Sequence, residues 1–129
     1  ALINIVLWTI LIKHRRAAKK AAKAAAEALF NMYNPEVVVV TCGKKGGVMY
    51  DGSEFYNYPA YEVAAIDSNG AGDCFHGAFA FAVFSGYDYK KACRFSSAVS
   101  AVKCTKKGAR KGTPDFKTVS EFLERNESK

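Results

Sequence analysis

The pattern of apolar and polar positions divides the chain into strand-like and helix-like stretches. Residues 2–12 are almost entirely apolar and rich in Ile and Leu, which is typical of a strand buried on both faces. Residues 14–33 consist mostly of Ala, Lys and other helix formers, and Pro35 ends that helix because proline disfavours helix in the residue before it. Residues 36–42 indicate a second buried strand, so the beginning of the chain predicts a right-handed β-α-β unit.

The next part of the pattern predicts a hairpin and a helix. An Asp-Gly pair at residues 51–52 separates two short strand-like stretches, which is a strong hairpin signal. The apolar residues 63–66 indicate the end of a strand. That strand leads into a long apolar run, and we expect a buried helix at residues 71–84.

Capping residues mark the ends of the predicted helices. Ser85 and Gly86 form a C-terminal cap after the helix at 71–84. Asp88 is placed to cap the N-terminus of a second helix, from residue 89 to about 104, and Asp115 lies in the Thr-Pro-Asp segment that opens a last helix. The apolar residues of this last helix share one face: Phe116, Val119, Phe122 and Leu123.

Composition places the chain among globular proteins. Half of the residues are hydrophobic and 24% are charged, so residues 1–129 are expected to form one soluble α/β domain. The net charge of +7 is compatible with nucleic acid, anionic lipid or phosphorylated small molecules. Basic and aromatic residues are not interleaved as in single-strand binders, so no nucleic acid is expected. The apolar residues 1–12 are fewer than the about 20 that span a bilayer, so no membrane span is expected.

The cysteines indicate a reducing environment. The four of them form no C-x-x-C pair and have no histidine at ligand spacing, which argues against a zinc site and a disulfide framework. We therefore expect a cytoplasmic protein. The chain also starts abruptly in an apolar run without Met, which suggests that it begins within a domain.

The segment 67–73, with the sequence DSNGAGD, carries the clearest chemical signal. Its glycines allow a sharp turn, and the amides at the start of the following helix, together with the helix dipole, favour an anion. The acid Asp73 at the mouth of such a site suits proton transfer, and phosphoryl transfer needs both features. The alternative is a tight strand-to-helix turn with an acid that merely favours the helix N-terminus.

Other polar segments leave two interpretations open. The loop at residues 43–47 contains Lys44 and Lys45, which are either solvated charges or phosphate contacts. The basic loop at residues 106–111 is either plain surface or a nucleotide or ion contact. A single helical histidine, His76, is more often structural than catalytic.

These motifs, in this order, identify a family. The chain from residue 37 to 123 resembles the C-terminal half of the ribokinase-like carbohydrate kinases, the PfkB family. The matching stretches are VVVVTCGKKGG, the Tyr-Asp-Gly hairpin, DSNGAGDCFHGAFA and KCTKKGARKGTP. The resemblance implies part of a ribokinase-like three-layer α/β/α sandwich with a small hairpin, in which ATP lies along the carboxyl ends of a doubly wound sheet.

The resemblance also implies roles for particular residues. Asp73 would be the general base that removes the proton from a sugar hydroxyl, and the amides of Gly70, Ala71 and Gly72 would form the anion hole. The strand-end loop would contact the nucleotide phosphates, and Ser97 would lie beside the adenine. The loop residues assigned to the nucleotide are Thr41, Gly43, Lys45 and Gly46.

The implied cofactors are ATP, Mg²⁺ and, in many members, a monovalent cation such as K⁺. The monovalent cation would be held by carbonyl groups around Asp67 and Asn69 and in the later loop. The later-loop residues assigned to it are Lys103, Lys106, Gly108 and Gly112.

Departures from the family leave two hypotheses. Residues 1–35 match poorly, and residues 12–20 lack the acid of the family's Asn-x-x-Glu motif, whereas residues 36–129 correspond to its nucleotide-binding and catalytic-base half. The first hypothesis is a sugar kinase whose partners are a nucleotide and a sugar. The second is a truncated or engineered half-domain that binds nucleotide without catalysis, and self-association is expected because a cut sheet exposes an edge.

Overall fold

The computed structural model describes residues 2–128, with side chains from residue 16 onward. It divides into two compact units, one up to Asn57 and one from Tyr58. The first contains α1 (Leu2–Tyr33), β1 (Val38–Thr41), a 3₁₀ turn (Gly43–Lys45), β2 (Gly47–Tyr50) and β3 (Phe55–Tyr58), whose last residue opens the second unit. The second contains α2 (Ala71–Phe84), α3 (Tyr89–Cys104) and α4 (Phe116–Glu127).

The helix α1 corrects the prediction for the beginning of the chain. Residues 2–12 belong to this helix and are not a strand, so the predicted β-α-β unit is absent from the described residues. An apolar run has the same appearance in a buried strand and in a helix, and here the helix-forming run beyond residue 13 extends backwards without a Gly or Pro to stop it. No helix among the residues searched, 2–128, is long and apolar enough to cross a membrane.

The sheet of the first unit is antiparallel and has the strand order β1-β2-β3. Pairing between β1 and β2 runs from Val38 opposite Tyr50 to Thr41 opposite Gly47. The predicted hairpin is confirmed, and its turn is held by the Asp51 carboxylate, which accepts hydrogen bonds from the amides of Ser53 and Glu54 at 2.9 Å. The implied doubly wound parallel sheet is not found among the described strands, and the described part of the chain is mostly helical with a small antiparallel sheet.

In the second unit, the end of α2 and the starts of α3 and α4 lie where the caps predict. Ser85 caps α2, the Asp88 carboxylate accepts from the amide of Lys91 at 2.8 Å, and the Asp115 carboxylate accepts from the amide of Thr118 at 2.8 Å. The core of this unit consists of Ala82, Ala92, Phe95, Ala98, Val99 and Val119.

Two predictions in the second unit are wrong in part. Residues 63–66 form no strand, and Ile66 is exposed. The helix α2 is buried along only one side, because α3 covers that side, and Phe84 on α2 is 94% exposed. The apolar run predicted the helix correctly but overestimated how much of it is buried.

Candidate active site

The 67–73 segment reaches α2 through a glycine that no other residue can replace without strain. Gly70 precedes the first residue of α2 with a φ of 78°, in the left-handed region. A Cβ atom on Gly70 would lie 2.8 Å from Cβ of Ala109 and 3.3 Å from its Cα. The turn therefore packs directly against the basic loop that follows α3.

The start of α2 offers free amide groups beside Asp73. In the described part of the chain, the amides of Gly70, Gly72 and Asp73 have no acceptor, whereas the amide of Ala71 donates to the Ser68 carbonyl at 3.1 Å. Unpaired amides and the helix dipole make this end of α2 favourable for an anion. Of the three amides implied for the anion hole, that of Ala71 is already engaged, and those of Gly70 and Gly72 are free. The amide of Asp73, which was not among the three, is free as well.

Asp73 lies on the wall of a cavity of about 600 Å³. Its carboxylate is exposed, and Gly70 lines the same cavity. The rest of the lining is mostly apolar and comes from α2, α3, α4 and the loop before α4, and Arg110 and Asp115 are its other charged residues. A largely apolar cavity of this size with a few polar groups is typical of a small-molecule site.

Asp67 ties the segment to the end of α3 and to the basic loop. Its carboxylate accepts hydrogen bonds from the amides of Asn69 at 2.9 Å and Gly108 at 2.8 Å. These two amides, with the positive charges of Lys103 and Lys107, lower the pKa of Asp67. The amides of Ile66 and Asp67 both donate to the Cys104 carbonyl, at 2.8 and 3.1 Å.

The side chain of Lys103 also belongs to this arrangement, which the sequence did not predict. It is fully buried, and its Nζ donates to the Asp67 carbonyl at 2.8 Å. The resemblance assigned only a carbonyl to this position. The signal that could have identified the side chain is a lysine within the apolar stretch at residues 98–104 of α3.

Ser97 lies apart from the cavity. It is buried in α3, its hydroxyl donates to the Pro59 carbonyl at 2.7 Å, and it is not among the residues that line the cavity with Asp73. His76 is exposed on α2, and its Nδ1 lies 2.7 Å from the Gly72 carbonyl. His76 therefore has a local backbone partner, as a structural histidine would.

The strand-end loop belongs to the first unit. Thr41 ends β1 and is exposed, as are Gly43 and Lys45, whereas Gly46 is buried. The loop closes through the amide of Cys42, which donates to the Gly46 carbonyl at 2.7 Å. Gly43 and Gly46 both have positive φ values, of 56° and 78°, so glycine suits both positions.

Comparison with known proteins supports the family. Residues 8–115 match the model of the pfkB family carbohydrate kinases, a stretch that begins within residues 1–35. The ribokinase of Haemophilus influenzae is 35% identical over 119 residues, which cover 92% of this chain and 37% of that protein. The ribokinase of Bacillus subtilis is 35% identical over 89 residues, covering 69% of this chain and 30% of the relative.

Solved structures agree with these relatives. The crystal structure of ribokinase from Thermotoga maritima has a TM-score of 0.74 at 34% identity and covers 78% of this chain and 34% of its own. The ribokinase of Arabidopsis thaliana, complexed with ribose and ATP, has a TM-score of 0.67 at 32% identity, over 69% of this chain and 29% of its own. The chain thus spans about a third of the length of these relatives. With 108 of its residues matched by the family model, from 8 to 115, the chain belongs to the pfkB family of carbohydrate kinases.

Proposed function

We propose that the chain catalyses ATP-dependent phosphorylation of a sugar hydroxyl, with Asp73 as the general base. One observation carries this proposal: the Asp73 carboxylate stands beside unpaired amides at the start of α2, on the wall of a cavity of about 600 Å³. Phosphoryl transfer requires this combination, because one group must take the hydroxyl proton while others stabilise the charge on the phosphoryl group. Several relatives are ribokinases, so ribose is the first sugar to test.

In the proposed phosphoryl transfer, Asp73 and the amides at the start of α2 have different roles. The sugar oxygen forms a bond to the γ-phosphorus as the bond between that phosphorus and the β–γ bridging oxygen breaks, and ADP leaves. Asp73 accepts the proton of the attacking hydroxyl. The amides of Gly70, Gly72 and Asp73 donate hydrogen bonds to the transferring phosphoryl oxygens, and Ala71 contributes only if its bond to Ser68 opens.

The residues fit ATP and Mg²⁺ as follows. We assign the phosphates to the amides of α2 and the adenine to the surroundings of Ser97. The family resemblance separately implies nucleotide contacts for Thr41, Gly43, Lys45 and Gly46 of the strand-end loop in the first unit. Residues 2–128 contain no cluster of three acidic, histidine or cysteine side chains that could hold a metal by itself. Mg²⁺ at nucleotide sites usually needs only one or two carboxylates besides the phosphate oxygens, so a metal that arrives with the nucleotide does not require such a cluster.

The second candidate is a chain that binds nucleotide without transferring phosphate, as part of a homo-oligomer. The absence of an acid in residues 12–20 favours it, because the family uses one there to organise Mg²⁺. The exposure of Phe84 at 94% and Phe116 at 55% favours self-association, since large apolar groups left in water are typical of interfaces. Measured turnover distinguishes the two candidates.

The experiment compares Asp73→Asn with the wild-type chain. Isothermal titration measures MgATP binding, and a coupled assay measures ADP release in the presence of ribose and other sugars. We expect Asp73→Asn to bind MgATP within about threefold of wild type and to lose about 10²–10⁴-fold in turnover, the usual effect of removing a general base.

The matched control is Asp88→Asn, at the N-terminus of α3, because asparagine caps a helix as well as aspartate does. This variant should keep wild-type turnover and MgATP affinity. Full turnover by Asp73→Asn would contradict the role of Asp73. Binding of MgATP by wild type without turnover on any sugar would select the second candidate.

A further inference from the structure

The buried Lys103 side chain is a charge that the proposed reaction does not use. It lies in the last turn of α3 and is fully buried, and its Nζ donates to the Asp67 carbonyl at 2.8 Å. Burial of a charged group is unfavourable unless polar partners compensate it. Its position therefore calls for an explanation beyond packing.

The surroundings of Lys103 are shaped to hold it. A Cβ atom on Gly112 would lie 2.6 Å from the Gly108 carbonyl oxygen, an overlap with backbone, and 3.3 Å from Cε of Lys103, so a side chain at this position would also crowd the lysine. Asp67 presents its carbonyl to the ammonium group, while its carboxylate is held by the amides of Asn69 and Gly108. Besides Lys103 itself, the cradle thus includes four of the residues that the family resemblance assigns to a monovalent cation: Asp67, Asn69, Gly108 and Gly112.

These residues do not fit a free monovalent cation. The Asp67 carbonyl already receives the Lys103 ammonium. Two further carbonyls that such an ion would use are also engaged, since the Lys103 carbonyl accepts from the amide of Lys106 at 3.1 Å and the Gly108 carbonyl from the amide of Gly112 at 3.0 Å. A second positive charge on the Asp67 carbonyl would also be repelled by the ammonium group in a buried setting.

We propose that the Lys103 ammonium takes the place of the monovalent cation at Asp67, so that this site needs no K⁺. Asp67 leads within three residues to Gly70, and Gly70 leads to the amides of α2. Lys103 is therefore a positioning residue that fixes the segment from which the anion site is built. Its effect on phosphoryl transfer rests on the proposed function, whereas its occupation of the cation site does not.

The first test measures the thermal unfolding temperature and the MgATP affinity of wild type in KCl, NaCl and tetramethylammonium chloride at equal ionic strength. We expect the three salts to give the same unfolding temperature and MgATP affinities within about twofold. A rise of about 3 °C or more in KCl alone would overturn the proposal, because it would reveal a K⁺ that binds the folded chain.

The second test uses Lys103→Ala, which removes the ammonium group and leaves a space at Asp67. We expect MgATP affinity to fall about tenfold in NaCl, and KCl or ammonium chloride to restore both affinity and unfolding temperature. Lys103→Arg, which keeps the charge, should show no response to K⁺. The control Lys20→Ala removes an exposed charge from α1 in the first unit and should behave like wild type.

A loss in Lys103→Ala that neither cation restores would mean that Lys103 only fills space, and would overturn the proposal. If this variant does not fold, the salt response of wild type decides, since it needs no variant. Failure of the proposed function is a separate result: a chain without turnover can still show an unfolding temperature that is indifferent to K⁺.

Discussion

Two glycine-containing loops in this chain are built in different ways. The loop that follows β1 is closed by its own backbone: the amide of Cys42 donates to Gly46, and that of Gly46 to Gly43 at 3.1 Å. The 67–73 segment is held from outside, by the end of α3 and by the basic loop, through Asp67 and Lys103. The conformation of the first loop depends on the backbone angles that its own residues can adopt. The conformation of the 67–73 segment depends on contacts with residues that are distant in the sequence.

This difference has consequences for substitutions. At Gly43 in the self-closed loop a change costs only local backbone strain, because an added Cβ would meet no atom within 4 Å. In the externally held segment the same change also disturbs the packing against the basic loop. Glycine-to-alanine substitutions in the two loops should therefore destabilise the chain to different extents.

The largest effect is expected for Gly70→Ala. Its φ of 78° already disfavours alanine, and the added Cβ would lie 2.8 Å from Cβ of Ala109. Strain and overlap together should reduce the free energy of unfolding by about 2–4 kcal/mol. Urea unfolding measures this change, with Gly72→Ala as control, because a Cβ on Gly72 meets open space. Equal stabilities of the two variants would contradict the packing of this turn against Ala109.

A smaller effect is expected for Gly43→Ala in the self-closed loop. Gly43 has a φ of 56°, but an added Cβ would meet no atom within 4 Å. Only backbone strain remains, partly offset by the lower entropy of alanine in the unfolded chain, so the expected loss is about 1 kcal/mol. Urea unfolding checks this value, and Lys44→Ala provides a control on the same turn. A loss as large as that of Gly70→Ala would remove the distinction between the loops.

The smallest effect concerns pH and the hairpin turn of the first unit. The amides of Glu54 and Ser53 and the Ser53 hydroxyl hold the pKa of Asp51 at about 2, below its usual 3.8. Because the folded pKa is the lower one, the stabilisation is present above about pH 4 and is lost as the pH falls towards 2. NMR titration of the Asp51 carboxyl carbon should give a midpoint near 2, and the amides of Ser53 and Glu54 should shift with it. A midpoint near 3.8 would show that the turn is open in solution.

The sequence predicted those parts of the fold that local chemistry determines. The helices α2 and α3 span the predicted residues and α4 begins in the predicted segment, because Ser85, Asp88 and Asp115 satisfy backbone groups a few residues away. The hairpin was predictable for the same reason. The N-terminal apolar run was misassigned, because a continuous run of apolar residues carries no periodicity that separates strand from helix.

The candidate site was predictable where it is a motif and not where it depends on tertiary burial. The turn at Gly70 and the placement of Asp73 at the start of α2 followed from the sequence. The engagement of the Ala71 amide, the burial of Ser97 and the insertion of Lys103 beneath Asp67 did not, because each depends on which groups α3 and the basic loop bring to these residues.

Detection of a phosphorylated sugar tests directly whether this chain transfers phosphate from ATP to a sugar hydroxyl. The chain is incubated with ATP, Mg²⁺ and ribose, then with a panel of other sugars, and each reaction is followed by ³¹P NMR. We expect a sugar-phosphate resonance that grows with that of ADP for at least one sugar, and no such resonance with Asp73→Asn. A chain that binds MgATP but leaves ATP unchanged with every sugar would contradict the claim.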